Sequence, residues 1–85
     1  MRSLIHYKDF GNISLNIGEL MDSRGISVSK IVKITGMHHN VVQRYYDNSA
    51  NRYDAEVLAK FCYVLECDIV DIFSYTLPVE NNGMR

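Results

Sequence analysis

Apolar residues recur along this chain at helical spacing and fall into five groups. Ile13, Ile17, Leu20 and Met21 stand at i, i+4, i+7 and i+8, one stripe of an amphipathic helix. Gly25, directly after Arg24, supplies a left-handed stop. Gly18 lies inside that helix at a cost of ~1 kcal/mol against Ala, which admits either close packing or simple tolerance. Ser27 is placed to cap a second helix, with Val28, Ile31 and Val32 on one side and Lys30 and Lys33 on the other. After the turn Thr35-Gly36-Met37, a third helix over residues 38–46 buries Val42 and Tyr45. Asp54 caps a fourth, with Glu56 in its positively polarised first turn and Leu58, Phe61, Cys62 and Leu65 as its stripe. Asp68 restarts the chain as the cap of a short fifth helix with Ile69, Ile72 and Phe73 inward. Residues 3–10 and 74–79 are rich in Tyr, Ile, Leu and Val without helical period, the composition of short strands. Pro78 has no N–H to give a ladder, so the second of these is an edge. The expected fold class is all-α: five helices, with short strands as the reading for both termini. Residues 1–12 are read as an extended segment, 13–75 as the domain and 76–85 as a tail.

Length and composition narrow the classes of function. Eighty-five residues hold one domain, which hides only ~60–65% of its unfolded surface. A deep catalytic cleft with a lid is not expected in so small a body. With 47% hydrophobic and 22% charged residues the chain is an ordinary globule rather than a disordered tail. Cys62 and Cys67 are too few and too close for a disulfide framework, and read as a core and a helix-end cysteine. No signal pattern opens the chain and no apolar run approaches a membrane span, so the expected location is cytoplasmic, with no membrane partner.

The formal charge of −1 hides a polarised chain. From Ser23 to Tyr46 there is no acidic residue, while Arg24, Lys30, Lys33 and Arg44 are cationic; Arg52 and Lys60 follow the interruption at Asp47. Beyond Lys60 four acids face a single arginine. A basic middle can meet phosphates, although counts this small also arise on any solvated surface.

Spacing adds the stronger signal. Helices two and three are each about two turns long and joined by a short Gly-containing turn, the arrangement in which the second helix enters the DNA major groove. With Val42 and Tyr45 inward, the outward residues are His39, Asn40, Gln43 and Arg44. Asn and Gln pair bidentately with adenine, and Arg with guanine. The plainer alternative is a polar solvent face, but a face of Asn, Gln, Arg and His with no Glu or Lys is less typical of generic solvation. Tyr46 falls near the DNA backbone on this geometry, or is a surface aromatic without a role.

Gly36-Met37-His38-His39-Asn40-Val41-Val42-Gln43-Arg44, Arg52-Tyr53-Asp54, Leu58-Ala59-Lys60-Phe61-Cys62 and Leu65-Glu66-Cys67-Asp68-Ile69-Val70-Asp71-Ile72-Phe73, in this order, resemble the lambda-repressor-like helix-turn-helix family. The nearer branch is that of compact bacterial and phage-borne regulators. The resemblance covers roughly residues 13–75. It implies a five-helix DNA-binding domain that regulates transcription, commonly as a repressor, and acts as a homodimer on a two-fold operator of double-stranded DNA. It puts base reading on His39, Asn40 and Arg44, with Gln43 between them. Phosphate contacts fall near Ser27 and Lys30 and in the loop holding Asn48, Ser49 and Arg52; Lys33 and Tyr46 join that set from their place on the basic middle. Two departures stand out: Val28 where the family often has Gln, and His38 where it usually caps the recognition helix with Ser or Thr.

Other chemistries find less footing. His38 and His39 point apart on a helix and lack further ligands at metal spacing, so no metal or cofactor is expected. There is no nucleophile elbow, phosphate-cradling loop or clustered carboxylate pair, so no enzyme is expected either. The rival reading is an antitoxin or adaptor whose main contact is a protein partner, because fold alone does not establish function. The flanks, with Tyr75, Leu77 and Val79 on one side, either form the contact across the two-fold or cover the core of a monomer; both readings stay open.

Overall fold

The computed structural model describes residues 10–78. Five helices follow one another, α1 (Ile17–Arg24), α2 (Val28–Thr35), α3 (His39–Tyr46), α4 (Ala55–Leu65) and α5 (Ile69–Ile72). Two strands flank them, β1 (Asn12–Leu15) and β2 (Phe73–Thr76), paired antiparallel with Ile13 opposite Tyr75 and Leu15 opposite Phe73. The mostly helical class read from the sequence is the observed one. Among the described residues no helix is long and apolar enough to cross a membrane.

Three sequence expectations need correcting. Ile13 is not in the first helix; it lies on β1 and is half exposed. The helix starts at Ile17, with the Asn16 carbonyl accepting the Leu20 N–H at 2.9 Å, while the Asn16 side chain bonds elsewhere: its Nδ2 donates to the Asp71 carbonyl at 3.2 Å and its Oδ1 accepts from Ser74 Oγ at 2.9 Å. The Asn16 side chain thus stitches the strand entry to the α5–β2 junction instead of capping α1. The strand positions also differ. The second flank does form a strand, at Phe73–Thr76, but its partner is Asn12–Leu15; most of the expected strand at 3–10 lies outside the described residues, and Phe10 itself is outside β1. Finally, Ile72 is fully buried but Ile69 is 42% exposed, and Phe73 has left the helix for β2.

The helix ends follow their sequence signals. Ser27 Oγ accepts the Lys30 N–H at 3.1 Å, and Asp54 Oδ1 accepts those of Glu56 and Val57. Asp68 and Asp71 form a reciprocal capping box on α5. Gly25 and Gly36 close α1 and α2 in the left-handed region. At the end of α4 that region is taken by Glu66 (φ 53°). The Cys67 N–H then reaches back to the Cys62 carbonyl at 3.1 Å, which brings two half-buried free thiols together. Burial pushes the Cys67 thiol up, the neighbouring Cys62 and Asp71 add to that, and Arg24 opposes it.

The core is built from Ile17, Met21, Ile31, Val42, Phe61, Leu65 and Ile72, all without solvent exposure. Tyr45 stacks on Phe61 at 5.5 Å between centroids, and its hydroxyl oxygen accepts the Asp54 N–H at 2.9 Å. One buried aromatic therefore serves both the core and the approach to α4. Tyr53 lies edge-on to Phe73 at 5.4 Å, joining the α3–α4 loop to the base of the strand pair.

Candidate nucleic-acid interface

α2 packs more extensively on α3 than on any other element, and the turn between them is internally braced. Thr35 Oγ1 donates to the Ile31 carbonyl at 2.7 Å and accepts the Met37 N–H at 3.1 Å. The Gly36 N–H reaches the Val32 carbonyl at 2.8 Å, and Met37 is buried beneath. Rigidity here fixes the angle between the two helices. At the start of α3, His38 accepts the Asn40 N–H on Nδ1 at 3.2 Å. This side-chain bond takes up one of the first N–H groups of α3, the role that a Ser or Thr cap fills elsewhere.

Val42 and Tyr45 anchor α3 on its inner side. His39, Asn40 and Arg44 are exposed on the outer side and Gln43 is half-buried, so the four sequence candidates share one face. Arg44 also lines a shallow crevice with Ser49, Asn51 and Arg52 from the α3–α4 loop, which brings two of the expected cations together. Ser27, Lys30 and Lys33 are exposed on α2. Among the described residues the one salt bridge joins Glu56 and Lys60 at 3.8 Å, and none of those residues forms an ion pair with Lys30, Lys33, Arg44 or Arg52.

Some candidates are engaged inside the chain. The Tyr46 hydroxyl donates to Asp22 Oδ1 at 2.9 Å, so its single proton is not on offer to a phosphate in this arrangement. That bond, and then the Asp22 charge, hold the Tyr46 hydroxyl above the ordinary tyrosine range. Gly18 stands one turn before Asp22, and a Cβ there would collide with the Tyr46 carbonyl oxygen. Tyr46 is thus gripped by α1 at both its backbone and its hydroxyl, and the sequence alternative of close packing at Gly18 is the one realised. Ser49 Oγ donates to Asp47 Oδ1 at 2.7 Å, and the Ser49 N–H is shared between Asp47 and the Arg44 carbonyl. Asn48 accepts the Leu15 N–H at 3.0 Å. Sequence reasoning missed Asp22 entirely, because no periodicity links a helix-one acid to a residue 24 positions on. The Asp-Asn-Ser run did carry a turn signal that would have flagged the loop's internal bonding.

The sequence pattern of the Cro/C1-type helix-turn-helix DNA-binding domain matches residues 16–77. Among curated proteins none matches. Two solved structures share the fold. One is a candidate DNA-binding protein from Bacteroides fragilis, at TM-score 0.66 and 14% identity over 74% of this chain and 100% of that one. The other is the transcriptional regulator VanUg, at TM-score 0.63 and 20% identity over 85% of this chain and 95% of that one. At these identities the likeness is one of fold.

Proposed function

Since the chain belongs to the Cro/C1-type helix-turn-helix DNA-binding family, we propose that it is a sequence-specific regulator of transcription that reads double-stranded DNA with α3 in the major groove. The observation that carries this reading is the outer face of α3, where His39, Asn40 and Arg44 stand exposed with Gln43 between them on a helix braced by α2. Arg is matched to guanine O6/N7 and Asn or Gln to adenine N6/N7. Ser27, Lys30, Lys33 and Arg52 then meet the phosphates on either side. Ser27 accepts a bond from Lys30 but keeps its own hydroxyl proton to donate. Repression is the simplest role, since a domain seated on an operator excludes other proteins from it, and the place of action is inside the cell.

A second copy completes the site. One recognition helix reads few base pairs, and half-sites on one duplex face lie ~34–36 Å apart. The two-stranded ribbon supplies a surface for that contact: Ile13 and Tyr75 face each other across the strands at 50% and 55% exposure, and Leu77 continues the patch. The rival reading, a protein partner other than a second copy, is favoured by Tyr63 and Ile34, exposed beside an apolar cleft between α2 and α4.

The test is selection of bound duplexes from a random pool at two salt concentrations, followed by Arg44→Ala on the selected site. A base reader loses ~1–3 kcal/mol there and relaxes preference at one position. Neutralising Lys30 or Arg52 weakens all sequences alike and flattens the salt slope by about one unit. No enriched sequence, or an Arg44→Ala variant as tight and as selective as the parent, overturns the reading. Binding of a protein partner with little salt dependence and no duplex binding would favour the rival.

A further inference from the structure

Strand β1 and the loop between α3 and α4 meet through one side chain. The strand register continues to Asn16 and Ile72, where the Asn16 N–H donates to the Ile72 carbonyl at 2.6 Å. Bonded and non-bonded pairs alternate along an antiparallel ladder, so the neighbouring Leu15 N–H points away from β2. Leu15 is 7% exposed, and a buried N–H without an acceptor is costly. Asn48 Oδ1 supplies the acceptor at 3.0 Å, across 33 residues of sequence. To reach it, Asn48 takes a left-handed backbone at φ 65°, which Asn tolerates better than most residues. The loop beyond is wound tight by the Ser49 bonds to Asp47 and to the Arg44 carbonyl, and leads into Arg52.

We propose that Asn48 is a positioning residue through which the terminal ribbon sets where the loop carrying Arg52 stands against the DNA backbone. This rests on the DNA-binding reading above. Oδ1 of Asn48 is committed to the strand, and among the described residues its Nδ2 donates to no protein acceptor, so the same carboxamide can hold the strand and face a phosphate. Arg52 shares a crevice with Arg44; a loop released from the strand carries its charge away from the recognition helix. Strand pairing and phosphate contact are therefore one unit, and whatever steadies the ribbon tightens DNA binding.

The experiment compares Asn48→Gly with Asn48→Asp in the full chain. Gly keeps the left-handed backbone and deletes the acceptor, while Asp keeps both. Amide exchange at Leu15 and the salt dependence of duplex binding are measured together, with Phe61 exchange reporting global folding. In N48G, Leu15 exchange accelerates while Phe61 stays protected, and the salt slope flattens by about one unit; in N48D, Leu15 stays protected. A general loss of stability would expose both amides and leave the slope of the folded fraction unchanged. The proposal falls if N48G binds with the parent's affinity and slope, or if N48D exposes Leu15. A wild-type chain that binds no duplex at all sinks the functional reading itself, whereas a wild type that binds and an N48G that matches it sinks only the positioning role.

Discussion

Gly18→Ala separates two physical effects of opposite sign. At an unhindered helix position the change stabilises by ~1 kcal/mol, since Ala is the better helix former. Here the new methyl group would collide with the Tyr46 carbonyl oxygen. The obstacle is backbone, so no side-chain rotation relieves it; the last turn of α3 must move off α1. The Tyr46 hydroxyl, bonded to Asp22 on the same face of α1, resists that movement. Forcing an extra carbon into packed surroundings costs ~1–3 kcal/mol, and taking the middle of that range against the propensity gain leaves a net loss of about 1 kcal/mol. For a chain of this size, with roughly 4–13 kcal/mol in total, the loss is measurable. Urea unfolding followed by circular dichroism should show a lower midpoint with an unchanged m-value. Duplex affinity should fall further than the loss of folded protein accounts for, because α3 is displaced. A variant stabilised by the full propensity gain would refute the collision and return Gly18 to simple tolerance.

Asp54→Ala removes the acceptor of two amide hydrogens at the start of α4 and should destabilise by ~1 kcal/mol in the same assay. Tyr46→Phe tests the alkaline limb of stability. The folded-state value of Tyr46 is raised, so the folded state holds its proton longer than the unfolded one; its contribution is complete below the ordinary tyrosine range near ~10 and fades as pH rises through and above it. The Phe variant should lack that alkaline decline, and identical profiles would discount the Asp22 bond. Cys67, pushed up by burial, should react with iodoacetamide more slowly in the folded chain at neutral pH than in urea, read by mass spectrometry. Equal rates would contradict its shielding.

What the sequence disclosed, and what it did not, follows from the range of each interaction. Asp54, Ser27 and Asp68 act on amides within three residues, so composition and spacing alone locate their helices. The outer face of α3 was legible for the same reason: once Val42 and Tyr45 are inward, helical geometry disposes of the rest. Ile13 misled because its spacing to Ile17 fits a helix, while the strand pairing that claims it depends on residues some sixty positions away. The grips on Tyr46 and Asn48 were illegible on the same ground. Asp22 and Leu15 are close to them only after the chain has folded, and nothing local marks either.

The β1–β2 pairing imposes an order on the protein's birth. Asn16 and Ser74, bonded across the strand entry, are 58 residues apart, and closing so long a loop costs entropy that the short helical segments between them do not pay individually. During synthesis β1 leaves the ribosome before any of the helices, yet its partner is made after all of them. At ~5–20 residues per second, several seconds pass in which Leu15 has no cross-strand neighbour and Ile13 no Tyr75 beside it. A chain that ends before Phe73 would leave β1 without its partner strand, and an open strand edge is a template for pairing with another copy.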